Sequence, residues 1–171
     1  MDILDAWSVK IAGVVAPDEV DLAPMMTQAF VAGGDARASL FKKESQNILG
    51  GFVGGNIAIA LFPCILKGLA AATPFLAAIL SASSNISDII SVAKDAVDLR
   101  NSLKKSKDEP APVNDPYTGL KRVIDTVSSE LQNNSLPQDQ SDLIVFRVVK
   151  VLLEDPSGAA QFLQKIGSAN A

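Results

Sequence analysis

The chain has 171 residues, 48% apolar and 20% charged, with a formal net charge of −4, no histidine and a single cysteine. That length is one domain, or one domain with a small appendage, and is long enough to bury a sizeable core. The acidic balance excludes the basic footprint of a nucleic-acid binder. The missing histidine excludes Ser-His-Asp and Cys-His nucleophile pairs and His-bearing zinc or haem sites, and the lone Cys64 excludes an intrachain disulfide.

The remaining chemistry is equally sparse. The run GGFVGG at 50–55 lacks the Gly-Lys-Ser/Thr that completes a phosphate-binding loop, and no spaced aspartates form a calcium loop. Nothing singles out a carboxylate pair for acid–base work. The sequence therefore reads as a non-enzyme with no cofactor and no metal. Cys64, in apolar surroundings, reads as a small buried hydrophobe. Acids at Asp2 and Asp5 precede the first apolar stretch, unlike the positive start of a secretory signal, which predicts a cytoplasmic protein, free or membrane-associated, or one exported by a route the sequence does not advertise.

In chain order every element reads as helix. Asp2 is placed to cap a first amphipathic helix through Val15, with Ile3, Trp7, Ile11 and Val14 near one face and Ala16-Pro17-Asp18 as its break. A second helix is expected over 22–32, with Asp21 as N-cap, Pro24 in its first turn and Gly33-Gly34 as its stop. Asp35 then reads as the cap of a long third helix. It begins polar, with Arg37, Lys42, Lys43 and Glu44, and runs into an apolar region.

Residues 45–66 carry no charge, Lys67 interrupts, and residues 68–87 are again uncharged. Each half is near the ~20 residues that cross a hydrocarbon core as helix. Pro63, Lys67-Gly68 and Thr73-Pro74 suggest a turn, so the spacing predicts an apolar helical hairpin over 46–87 joined around 63–73. In the second arm Phe75, Ala78, Ala82, Asn85, Ile89, Val92, Ala96, Leu99 and Leu103 repeat at three and four, a heptad seam for helix packing. Asn85 in that seam reads as a register-fixing polar residue. The Pro-rich stretch at 108–117 reads as a linker, dividing a helical domain at 1–107 from a C-terminal segment at 118–171 that packs on it or binds a partner.

After the linker a helix is expected over 118–132, with Leu120, Val123, Ile124, Val127 and Leu131 on one face. In SDLIVFRVVKVLLEDP the charges Arg147, Lys150 and Glu154 form one narrow stripe on an otherwise apolar helix. A last helix over 157–166 is expected to stop at Gly167. The fold class is thus all-α: about six or seven helices around a central apolar hairpin, with a short C-terminal helical subdomain.

Two features point toward lipid. Gly50-x-x-x-Gly54 and Gly51-x-x-x-Gly55 interleave the spacing that lets helix backbones approach closely. Bases flank the hairpin on both outer sides: Arg37, Lys42 and Lys43 before it, Lys94, Arg100, Lys104, Lys105 and Lys107 after it, with only Lys67 at its tip. Against permanent insertion stand the glycines, Asn56, Pro63 and the serines that dilute both arms. An apolar hairpin wrapped by amphipathic helices resembles, in pattern over 46–87, the pore-forming domains of colicin-type toxins. The resemblance implies a soluble form whose hairpin later inserts. The expected function is membrane permeabilisation or anchoring by self-association. In that reading Gly50, Gly51, Gly54 and Gly55 form the contact, Pro63, Phe75, Ala78, Ala82 and Asn85 lie in the inserting segment, and Lys67 reaches the far interface. The alternatives are a soluble adaptor or assembly bundle, whose hairpin is its own core and whose partner is a helical protein, and a permanent two-span membrane protein.

Overall fold

The structure, a computed structural model, describes residues 1–41, 60–81 and 116–169. Among these it is wholly helical: α1 (Ile3–Val15), a 3-10 turn (Pro17–Glu19), α2 (Ala23–Ala32), α3 (Gly34–Ser39), α4 (Leu61–Ser81), α5 (Pro116–Asn133), α6 (Gln138–Glu154) and α7 (Pro156–Ser168). One continuous core joins all the helices but α3.

At the centre lies α4. It packs most extensively on α5, next on α7, and also on α2. Phe62, Ile65, Leu66, Leu69, Leu76 and Ile79 are all fully buried, as are Leu120, Val123, Val127 and Leu131 on the facing side of α5. These α5 residues recur at three and four, so one stripe meets the core and the polar face stays outside. On α6 the charges Arg147, Lys150 and Glu154 are exposed while Val145, Val148, Val149 and Leu152 are buried, as the stripe in the sequence requires. α1 closes the other side, stacking Trp7 on Phe162 of α7 with ring centroids 6.1 Å apart. Between α1 and α2 a buried polar pair is satisfied internally. The Ser8 hydroxyl lies 2.7 Å from Thr27 Oγ1 and against the Leu4 carbonyl, and the Thr27 hydroxyl donates to the Ala23 carbonyl at 2.9 Å.

The expected turn around 63–73 is not there. α4 runs unbroken through it. Pro63 falls in the first turn, where proline is tolerated because it has no N–H to leave unpaired. Thr73 does not cap a new helix; its hydroxyl donates back to the Leu69 carbonyl at 3.0 Å, and Pro74 sits inside the helix with its ring exposed. Gly68 and Gly167 do not break helices either, since each lies inside one where another helix passes closely. A Cβ on Gly68 would stand 3.1 Å from Val127 Cα, and one on Gly167 would stand 3.0 Å from the Thr73 side chain. The third helix is short, six residues, and starts at Gly34 after Gly33 at φ +72; its expected run into the apolar region falls outside the described residues. In α2 the residue at the N-cap position is Leu22, with Asp21 one place before it.

The α5–α6 connection is set by local hydrogen bonds. Leu136 N donates to Leu131 O (3.2 Å) and Ser135 N to Gln132 O (3.0 Å), the paired bonds of a Schellman stop, with Ser135 at φ 73. A side chain at that angle is strained. Ser135→Gly is therefore expected to stabilise the fold by about 1 kcal/mol in denaturant unfolding.

A paired glycine test separates space from propensity. Gly13 is exposed within α1 and has nothing within 4 Å of a built Cβ, so Gly13→Ala should gain about 0.5–1 kcal/mol. Gly68→Leu, facing backbone at Val127, should lose about 1–3 kcal/mol by overpacking. Urea unfolding midpoints check both.

Candidate functional site

The N-terminal third of α4 holds the densest set of specific contacts to the apolar helix. A helix start leaves donors on its first turn without partners. Here Leu61 N and Phe62 N donate to the two carboxylate oxygens of Glu19, at 2.8 and 2.9 Å, and the next residue, Pro63, has no N–H. The cap comes from the 3-10 turn, more than forty positions earlier in the chain. A negative group there also suits the positive end of the helix dipole.

A second carboxylate approaches one turn further on. Glu130 of α5 pairs with Lys67 at 3.1 Å, with Lys67 about half exposed and Glu130 more covered. The Lys67 ammonium also stands 5.8 Å from the ring centroid of Phe41. Cys64 lies between these groups, buried, its thiol 3.6 Å from the Ala60 carbonyl. Burial first, and then the charges of Glu130 and Glu19, push that thiol up to about 11, with Lys67 opposing weakly. Farther along, the Arg122 guanidinium of α5 stands 5.3 Å from the ring centroid of Phe75. Arg37 of α3 donates to the Ala169 carbonyl at 3.0 Å and stacks 4.0 Å over Phe30, so it ties the C-terminal end of α7 to α2 and α3.

Of the residues the sequence nominates, Pro63 is buried in the first turn of α4, and Lys67 is on a helix flank and ion-paired rather than at a hairpin tip. Phe75 is half-buried and Ala78 is exposed. The heptad seam is therefore out of register here. The buried face runs through Ala72, Leu76, Ile79 and Leu80, one position on from Phe75 and Ala78. Gly50, Gly51, Gly54, Gly55, Ala82, Asn85, Lys42, Lys43, Lys104, Lys105 and Lys107 lie outside the described residues. Sequence reading missed Glu19 and Glu130. Nothing local marks Glu19 as a cap for a helix so far along the chain, whereas Glu130 on the flank of an amphipathic helix opposite a lone lysine carried a weak signal.

Among the described residues no cluster of three or more metal-ligating side chains occurs. α4 is the one described helix long and apolar enough to cross a membrane, and 56% of its most apolar window is buried inside the protein. No family model, curated protein or solved structure matches the chain.

The Cys64 environment gives a directional test. A thiol raised from an ordinary 9.0 to about 11 stays protonated in the folded chain while the unfolded thiol ionises. Its contribution to stability is complete below 9.0 and is lost as pH rises toward 11. Alkylation near pH 8 should be at least about 100-fold slower in the folded than in the denatured chain. Cys64→Ala should flatten the fall in stability over that alkaline window, measured by urea unfolding at a series of pH values.

Proposed function

We propose that this is a non-enzymatic, membrane-active helical protein that sheathes an apolar helix in a bundle and transfers it to lipid, permeabilising or anchoring to the membrane through self-association. The observation that carries the reading is α4 itself. It has 21 residues and one charged side chain, Lys67. At ~1.5 Å per residue it is about 31 Å long, which matches a hydrocarbon core of about 30 Å. Residues 68–87 carry no charge at all. Lys67 is a third of the way along, about 9 Å from the N-terminal end, and its long side chain can carry the ammonium part of that distance toward the headgroups. The four glycines at 50, 51, 54 and 55 supply the close-approach spacing for self-association, and the bases at 42, 43, 104, 105 and 107 supply contacts for anionic headgroups.

The soluble reading, a helical adaptor or assembly module bound by a helical partner, is favoured by one specific observation. More than half of the apolar window of α4 is already buried against α5, α7 and α2, as in an ordinary core helix. The two readings part on lipid. Purified, detergent-free protein should release dye from anionic liposomes. The double variant Gly50→Leu and Gly54→Leu should lose that release while keeping its far-UV circular dichroism and melting transition. Absence of both release and lipid binding, at neutral and mildly acidic pH, assigns α4 to the protein's own core and moves the search to a protein partner.

A further inference from the structure

We infer that Glu19 is an autoinhibitory latch: its carboxylate holds the N-terminal end of α4 in the bundle and sets how readily the helix moves to lipid. The inference rests on the membrane-active reading and adds its point of control.

Three observations carry it. Both Glu19 oxygens are engaged, one each by Leu61 N and Phe62 N. Pro63 removes the next donor, so this single side chain supplies the caps that the first two residues of α4 need. Glu19 also belongs to a different part of the fold from the helices that cover most of α4. It sits on the 3-10 turn between α1 and α2, whereas α5 and α7 make the main apolar contacts. A latch placed there can open without first separating α4 from α5. Apolar burial does not oppose the transfer strongly, because lipid accepts Phe62, Ile65, Leu66 and Leu69 as readily as the core does. The charge-assisted hydrogen bonds of Glu19 must be given up for those of water and headgroups at the membrane surface, so weakening them in the bundle shifts the equilibrium toward lipid.

Full-length wild type, Glu19→Ala and Glu19→Gln are floated with vesicles of mixed phosphatidylcholine and phosphatidylglycerol over a range of lipid concentrations. Val148→Ala, a core truncation on α6, serves as a destabilised variant that leaves Glu19 in place. Glu19→Ala is expected to bind at about tenfold less lipid than wild type, as follows from losing charged hydrogen bonds. Glu19→Gln, which keeps one good acceptor oxygen, should fall between. Amide exchange at Leu61 and Phe62 should rise in Glu19→Ala without lipid and stay near wild type in Val148→Ala. Wild-type binding with an unchanged lipid requirement in Glu19→Ala overturns the latch and leaves the membrane reading standing. An equal shift in Val148→Ala at matched loss of stability also overturns it, since general loosening then suffices. If neither wild type nor any variant binds, the membrane reading fails and the latch with it.

Discussion

An apolar helix can be placed in the middle of a protein only if the polar groups at its end find partners there. At the start of α4 that condition is met by two residues of different kinds. Glu19 accepts from the first two backbone N–H groups, and Pro63 offers none. Unpaired, such groups would cost up to about 1–3 kcal/mol each where fully buried, and less here, where they are partly buried. Meeting the condition fixes the connection between α1 and α2 over the end of α4. Gly68 and Gly167 then let α5 and α7 approach its flanks closely, and the fully buried side chains fill the space between. Lys67, the one charge on the helix, leaves the core on the flank where Glu130 can meet it.

The proposed transfer asks one helix to suit two solvents. Burying a large aliphatic or aromatic side chain contributes about 1.5–3 kcal/mol relative to water, but protein core and hydrocarbon provide that gain almost equally. In the proposed transfer the apolar area of α4 therefore nearly cancels, and two other terms decide. One is the polar contacts that only the bundle provides, at Glu19, Glu130 and Arg122. The other is the inner faces of α5 and α7, with Val123, Val127, Phe162 and Ile166 fully buried against their neighbours. Those faces must close on one another or find lipid themselves once α4 has gone. A resting bundle held by packing and by a few charged contacts is consistent with both demands.

The amphipathic elements were legible in the sequence because periodicity is a local signal. The buried face of α5 and the charge stripe of α6 follow from spacing alone, and the limits of α1 from Asp2 and the Ala16-Pro17-Asp18 break. The sequence suggests a turn at 63–73 because proline and glycine read locally as breakers. Pro63 falls where the helix has no bond to lose, Pro74 turns its ring outward, and Gly68 and Gly167 are small so that other helices can pass. For the two glycines the meaning depends on a neighbour distant in sequence, Val127 for Gly68 and Thr73 for Gly167. The register of α4 failed for a related reason. With almost every residue apolar or small, nothing local distinguishes the face through Phe75 and Ala78 from the one through Leu76 and Ile79. Only Val127, Thr73 against Gly167, and the aliphatic face of α5 select between them. Glu19 was the least legible of all, because a side-chain cap across the fold leaves no trace in composition or spacing.

In the proposed function α4 exchanges its protein surroundings for lipid. Hydrogen exchange of the full-length protein, with and without anionic liposomes, reads that exchange directly. The expected result is that amides of α4 stay protected in lipid while those of α5 and α7 lose protection as the helix leaves them. Unchanged protection in all three, with lipid present in excess, would contradict the account and place α4 permanently in the core of a soluble bundle.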